Sequence, residues 1–321
     1  LLPHAFEQVP LDVCTHACQL LGGSLLVASK RLSQDSWVRL ALTVPDAAVD
    51  GLLECLRVAP ARAKAARALF YSAKAPAPGG SGGGLIEARS GVQIMLEVLD
   101  SLPATTPASY GNSAFPGAPP NAAAAGSNAI VIRTLRMWLC ATLQPVLAGR
   151  PRAVRAFLAA RGVPLLCRQL AAGPADVAVH ACGVLASALR PDGGLEGEWP
   201  AGLPAAVEAV DAGIIPPLLD MLAAGTGRGR NGEPPPAPGN NDAHASALAM
   251  ELLSTLAGYP RLSDQLRAAG TIPAVAACLE DVGAAGDAEG SGMGMPAGTR
   301  VSLMQSALVV LASFLRGSSS E

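Results

Sequence analysis

The first residues that could carry chemistry are Cys14, His16 and Cys18, which place two thiols and an imidazole in one short segment. Cys14 and Cys18 are four positions apart and would share one face of a helix. A closed zinc site needs four ligands, and the sequence has no second Cys/His cluster of matching spacing. The two cysteines are therefore predicted to be small core residues, and no metal site is predicted.

The nearest approach to a nucleophile and its base is the pair His180 and Cys182. On a predicted helix these side chains point to different faces, which argues against a catalytic pair. The chain has only 4 His in all, and the Gly-rich stretch 79–84 lacks the Gly-Lys-Ser/Thr ending of a phosphate loop. The sequence therefore predicts a protein that is not an enzyme, with no cofactor and no small-molecule substrate.

Arginine is concentrated in one part of the chain. Between Asp100 and Asp176 no acidic residue occurs, whereas arginine occurs at positions 133, 136, 150, 152, 155, 161 and 168. Residues 1–175 carry 16 Lys and Arg against 9 Asp and Glu, a charge of +7, and residues 176–321 carry 7 against 16, a charge of −9. This polarity predicts an acidic protein segment as partner of the N-terminal half. Nucleic acid is disfavoured, because the acidic half would repel a long polyanion. The alternative that these arginines are ordinary solvated residues stays open.

Composition indicates which elements must position these side chains. Half of the residues are hydrophobic, yet 3% are aromatic and 15% charged, with 35 Gly and 27 Pro. The chain is too apolar for disorder and too poor in β-branched and aromatic residues for an all-β sandwich. No apolar run reaches the ~18–20 residues of a membrane span, so we expect a cytoplasmic protein, with nucleus and cilium as alternatives. Helices rich in Ala and Leu are interrupted by Gly/Pro-rich stretches, which are predicted loop insertions at 74–84, 103–127, 191–203, 225–241 and 281–298.

Two short patterns recur in the same order along the chain. A Gly followed by aliphatic residues, often with Pro, marks a predicted left-handed or tight turn before a new helix, and it begins at Gly91, Gly162, Gly213 and Gly270. Downstream of each, two Leu four positions apart lie on one helix face, over residues 139–143, 185–189, 252–256 and 311–315. Without the insertions the glycines are 46, 38 and 40 residues apart, near the ~40–47 of armadillo and HEAT repeats. The chain therefore resembles the armadillo-repeat family.

This resemblance implies an all-α fold, an armadillo-like right-handed superhelical solenoid of about four to five three-helix repeats. Stacked repeats share a continuous apolar core and form an elongated groove. A single solenoid domain is expected over residues 1–321, with degenerate N-terminal helices at 11–75 and repeats at 84–145, 150–190, 204–258 and 259–316.

The resemblance also implies which residues bind a partner, since third helices line the concave face of armadillo proteins. Arg133 and Arg136 are expected to reach that face beside Trp138, and Arg with Trp is typical of interface anchors. In the last three repeats serine stands where import-signal-binding armadillo proteins carry Asn, so binding by that mechanism is disfavoured. The predicted partner-binding residues share a place on the third helices and are Arg133, Arg136, Trp138, Ser187, Ser254 and Ser313.

The sequence thus predicts a non-catalytic scaffold or adaptor that binds a partner segment in its groove, with an acidic segment bound by the basic N-terminal half. Two alternatives stay open. One is a structural component of a large assembly, such as a ciliary axoneme or microtubule complex. The other is the targeting module of a larger enzyme, such as a ubiquitin ligase.

Overall fold

The structure, a computed structural model, describes residues 46–57, 61–74, 82–103, 120–190, 202–225, 240–287 and 297–317. All regular secondary structure in these ranges is helical. The Cys14–Cys18 motif, the helices predicted before residue 46 and much of each predicted insertion lie outside the described residues.

One compact unit comprises the described residues up to Leu165, together with Ala172–His180. In chain order its helices are α1 (Asp46–Arg57), α2 (Arg62–Lys74), α3 (Gly82–Ala88), α4 (Gly91–Ser101), α5 (Pro120–Leu147) and α6 (Pro151–Ala159). The next two helices contribute residues to both units, and they are α7 (Gly162–Ala172) and α8 (Ala175–Ala188).

The second compact unit comprises Leu166–Ala171 and the described residues from Ala181 onward. Its further helices are α9 (Gly202–Asp211), α10 (Ile215–Gly225), α11 (Asn240–Ala257), α12 (Ser263–Ala268, preceded by a 3-10 turn at Pro260–Leu262), α13 (Thr271–Asp287) and α14 (Ala297–Gly317). In the repeat pattern of the sequence, the third helices are α5, α8, α11 and α14, and α2 takes the same place in the degenerate repeat.

Three of the predicted insertions are shorter than expected. The loop prediction for 103–127 is corrected in its last part, because α5 begins at Pro120. Residues 122–125 are four alanines, which favour helix more strongly than any other residue, and Pro is well tolerated in the first helical turn. Likewise α3 begins at Gly82 and α13 continues to Asp287, so parts of 74–84 and 281–298 are helical.

The turns at the four repeated glycines are built in two ways. Gly213 and Gly270 have φ angles of +80° and +81°, the left-handed conformation that the sequence pattern predicts for Gly. At Gly162 the left-handed residue is instead Arg161, with φ of +55°. Gly162 itself is needed for close approach, because a Cβ there would lie 2.2 Å from the ring of Phe157.

The Leu pairs of the second pattern form part of the core in three repeats. At 139/143, 185/189 and 252/256 both side chains are completely buried, and burial of each Leu contributes about 1.5–3 kcal/mol. The last pair differs, because Leu311 is only half-buried and Leu315 is 72% exposed. Helix α14 therefore presents apolar side chains to solvent at positions that the earlier repeats bury.

Candidate functional site

The structure brings together three aromatic side chains on α2 and α5, which take the third-helix position in the first two repeats. Phe70 lies 5.2 Å from Trp138 between ring centroids, and Tyr71 lies 6.0 Å from Trp138. Phe70 and Tyr71 meet edge to face at 5.2 Å and 69°. All three rings are half-exposed, so they present apolar area at the surface in place of filling the core.

Two cations lie over these rings. The Arg67 guanidinium carbon is 5.7 Å from the centroid of the Trp138 ring, and the Lys74 ammonium nitrogen is 4.4 Å from that of Phe70. Each contact contributes roughly 0.5–1 kcal/mol at an exposed site. We call the five residues Arg67, Phe70, Tyr71, Lys74 and Trp138 the aromatic–cationic cluster.

Small residues allow α2 and α5 to approach closely and thereby hold this cluster. The buried face of α2 is mostly alanine, including Ala65 and Ala66, and the two helices pack against each other. The buried Thr142 hydroxyl lies 2.7 Å from the Trp138 carbonyl of its own helix and 3.3 Å from the Ala66 carbonyl of α2. The close packing of α2 against α5 therefore positions the half-exposed rings.

The expectation that Arg136 faces a partner is corrected by its burial. Only 3% of Arg136 is exposed, and its guanidinium donates to the carbonyls of Leu102 and Pro103 just after α4. The Leu102 carbonyl belongs to the C-cap of α4 and has no intrahelical donor, and Pro103 follows it in the chain. Burial lowers the pKa of Arg136 from its usual value. The side chain ties α5 to the end of α4 and does not reach the surface.

Arg133 is half-exposed, but it is engaged by a carboxylate of α8. Its Nε donates to both oxygens of Asp176, at 3.1 and 3.0 Å. One of those oxygens also accepts from the Val177 amide at 3.0 Å. The positive charge of Arg133 is therefore partly neutralised within the protein, and the two cations that lie over the rings, Arg67 and Lys74, come from α2.

The predicted serines lie on later third helices and belong to the second compact unit. Ser187 donates to the Gly183 carbonyl at 2.9 Å, and Ser254 to the Glu251 carbonyl at 2.7 Å. Ser313 donates to the Val309 carbonyl at 2.8 Å. Each hydroxyl thus uses its proton within its own helix and keeps acceptor capacity toward solvent. Their role in partner binding stays a prediction.

Sequence reasoning missed four of the five cluster residues. This part of the chain was predicted only as part of the degenerate N-terminal helices at 11–75. The signal was present, because Phe70 and Tyr71 each lie three or four positions from both Arg67 and Lys74 and are therefore their neighbours on the helix surface. An adjacent Phe-Tyr pair beside basic residues is notable in a chain that is 3% aromatic.

The titratable groups of the described residues offer little for chemistry. Cys55, Cys140, Cys167, Cys182 and Cys278 are all buried thiols. Burial raises the pKa of Cys140 and Cys167 to about 12 and that of Cys182 further, so these thiols are poor nucleophiles. Among the described residues no group of three or more His, Cys, Asp and Glu could hold a metal ion.

Two described segments, Ala129–Leu147 and Gly298–Leu315, are long and apolar enough to span a membrane by length and composition. Both segments contain polar residues, among them Arg133 and Arg300, so neither is an uninterrupted apolar run. Half of the first segment is buried in the protein, against 22% of the second. Core helices of globular proteins meet the same criterion, so the absence of a membrane span stays a prediction.

Comparison with solved structures identifies the fold. A designed armadillo repeat protein, YIII(Dq)4CqI, superimposes with a TM-score of 0.58 at 13% identity, over 95% of this chain and 94% of that chain. A second design, YIII(Dq.V1)4CPAF in complex with peptide (KR)4, gives 0.53 at 13% identity, over 95% and 92%. An engineered protein gives 0.55 at 16% identity, over 94% and 97%. Neither a protein-family model nor a curated protein matches the sequence. The chain therefore has an all-α, armadillo-like repeat fold.

Proposed function

We propose that this protein is a non-catalytic binding scaffold that takes an acidic segment of a partner protein on the aromatic–cationic cluster. The observation that carries the proposal is the placement of exposed Arg67 and Lys74 over half-exposed aromatic rings. Aromatic residues and Arg are enriched at protein interfaces. They give apolar contact area beside charges that a carboxylate can approach.

The charge of the two helices supports an acidic ligand. Neither α2 nor α5 contains an acidic residue. Because Arg136 is buried and Arg133 engages Asp176, the accessible positive charge near the rings belongs mainly to the exposed Arg67 and Lys74 of α2. A partner carboxylate would approach Arg67 or Lys74, and an apolar partner side chain would stack on Trp138. Exposed charge pairs of this kind set association rate and salt dependence more than affinity.

The structural neighbours support a peptide segment as the kind of ligand. One of the designed armadillo proteins is in complex with the basic peptide (KR)4. In this chain the cations of the cluster would repel such a peptide and attract its acidic counterpart. A cytoplasmic location, and the alternatives of an assembly component or a ligase module, stay predictions.

The first experiment is a titration of the full chain with a fluorescent peptide of about eight residues that alternates Glu and Asp around one central Leu. A Lys/Arg peptide of the same length is the control. We expect the acidic peptide to bind and to lose about tenfold in affinity between roughly 50 and 500 mM salt, because exposed charges are screened. Preference for the basic peptide, or affinity that salt leaves unchanged, would contradict the proposal.

Variants locate the binding surface. Trp138→Ala is expected to weaken the acidic peptide about tenfold or more, because it removes the largest apolar contact, whereas Arg67→Ala is expected to weaken it a few-fold. Arg155→Ala is the matched control, since Arg155 is an exposed arginine on α6 with the same formal charge. If Arg155→Ala weakens binding as much as Arg67→Ala, net charge and not the cluster accounts for the attraction.

A further inference from the structure

Helix α14 carries a row of apolar side chains that the structure leaves in solvent. Val301 is 54% exposed, Met304 44%, Leu308 59% and Leu315 72%, with Leu311 half-buried among them. Their spacing alternates between three and four positions, which places all five on one helix face. We call Val301, Met304, Leu308, Leu311 and Leu315 the outer stripe.

A second apolar face of the same helix is already occupied. Leu303, Ala307, Val310 and Phe314 are at most 4% exposed, and α14 packs on α11 and α13 within its compact unit. This inner stripe fixes the helix in the fold. The outer stripe is therefore additional apolar surface, beyond what the helix needs to pack in its own repeat.

The repeat pattern indicates that the outer stripe has the chemistry of a buried surface. Leu311 and Leu315 take the place that Leu252 and Leu256 take on α11, where both leucines are completely buried. The same Leu pair is buried in the two repeats before that. A surface of this composition is thus a packing face for another apolar helix.

We propose that the outer stripe is a self-association surface, and that the α14 helix of a second copy of this chain covers it. This inference is independent of the proposed function, which concerns α2 and α5. Apolar residues alternating at three and four positions are typical of the seam between two helices. No Asp, Glu or Lys occurs in α14, and its two arginines lie near its ends, so like charges do not oppose pairing along the stripe.

The size of the stripe fits a dimer of moderate affinity. The exposed parts of these side chains cover about 400–500 Å², which is the size of the largest apolar patches on soluble monomers. Two copies would bury roughly 1,000 Å² in total, near the lower limit for a specific interface. We therefore expect a dissociation constant in the range of about 1–50 µM.

A membrane surface fits α14 less well than a second copy. Helices that lie on membranes carry many Lys and Arg on their polar face. The polar face of α14 carries mainly Ser and Gln, namely Ser302, Gln305, Ser306 and Ser313, and the helix has only two arginines, one near each end. A span is also disfavoured, because it would remove the inner stripe from its packing against α11.

The position of Leu308 makes the proposal specific. Leu308 is the middle residue of the outer stripe, with seven positions on either side to Val301 and Leu315. In a symmetric pair the centre of the stripe meets its own copy, whether the helices run parallel or antiparallel. Leu308 would therefore contact the partner's Leu308.

The test is sedimentation of the full chain over about 1–100 µM, for the parent protein and for Leu308→Glu and Leu308→Lys. We expect the parent to dimerise and each variant to be monomeric, with association weakened at least about 100-fold by like charges at the centre of the interface. An equimolar mixture of the two variants should form a heterodimer, because opposite charges then meet. Ser302→Glu is the control and should dimerise like the parent, because Ser302 is exposed and has no residue of the outer stripe three or four positions away. Circular dichroism checks that all variants keep the helical content of the parent.

Three results would overturn the proposal. The first would be a parent chain that is monomeric at the highest concentration. The second would be a Leu308→Glu variant that dimerises as well as the parent, and the third would be an equimolar mixture of the two variants that does not associate. Vesicles of neutral and anionic phospholipid are added in a separate arm. A monomer that floats with vesicles, and loses this property in Leu308→Glu, would assign the stripe to a membrane surface in place of a second copy.

Discussion

Replacement of Gly162 by alanine tests the packing that joins the first and second helices of a repeat. Gly162 begins α7, and an added Cβ would lie 2.2 Å from Cε2 and 2.4 Å from Cδ2 of Phe157. Phe157 is completely buried, so its ring has no space into which to move. Overpacking of this kind costs about 1–3 kcal/mol, and alanine offsets roughly 1 kcal/mol of that through its higher helix propensity. Because a contact of 2.2 Å is severe, the overpacking cost should lie in the upper half of that range, which leaves a net loss of about 1–2 kcal/mol in the free energy of unfolding.

Urea denaturation followed by circular dichroism measures this loss. Gly84→Ala is the matched control, because Gly84 is also helical and its added Cβ meets nothing within 4 Å. That variant should be as stable as the parent or up to about 1 kcal/mol more stable. Phe157→Leu in the Gly162→Ala background should cost less than the sum of the single changes, because the smaller side chain removes the clash. A Gly162→Ala variant of parental stability, or additive effects in the double variant, would refute the reasoning.

Three further predictions concern stability. Burial raises the pKa of the Cys140 and Cys167 thiols to about 12, whereas an unfolded thiol titrates near 8.5. Above about pH 8.5 these thiols therefore lose their protons in the unfolded state and keep them in the folded state. Each thiol then lowers the free energy of unfolding by up to about 1.4 kcal/mol per pH unit. The urea concentration at the unfolding midpoint should therefore decrease as the pH is raised from about 8 to 10. In Cys140→Ala/Cys167→Ala this decrease with pH should be smaller, and an equal decrease would show that these two thiols are not its cause. Tyr259→Phe removes a buried hydrogen bond to the Leu189 carbonyl, 3.0 Å long, and should cost about 1 kcal/mol in thermal denaturation; unchanged stability would contradict this. Arg136→Ala should cost about 1–3 kcal/mol, because it removes a buried side chain and the hydrogen bonds that its guanidinium donates to the Leu102 and Pro103 carbonyls. A variant as stable as the parent would show that the side chain is not needed at the end of α4.

The helical repeat could be predicted because its signals are local. Glycine turns and Leu pairs four positions apart reflect helix geometry, and three of the four Leu pairs are buried as such a pattern requires. The reason for each Gly was not predictable from the pattern. Gly213 is needed for its positive φ, but Gly162 is needed for the nearness of Phe157, which depends on how two helices pack. Helix ends were also misplaced, since the alanines before α5 continue the helix into a predicted loop.

The candidate site shows the same division between local and tertiary information. Trp138 was predicted from the sequence to bind a partner, which stays a prediction, and the structure leaves its ring half-exposed. Arg136, which was expected beside it at the surface, is buried at the end of α4. The residues that lie beside Trp138 come from α2, far away in sequence. Their spacing is visible in the sequence, whereas their proximity to Trp138 follows from the packing of α2 on α5.

The central claim is that an acidic segment binds on the aromatic–cationic cluster, and the fluorescence of Trp138 tests it most directly. The chain has 3 Trp, so Trp37→Phe/Trp199→Phe leaves Trp138 as the single reporter. The account predicts that the acidic peptide changes the emission of Trp138 with the same midpoint as its binding curve, and that high salt reverses the change. A peptide that binds while the emission of Trp138 stays constant would contradict the account, because the ligand would then lie elsewhere on the protein.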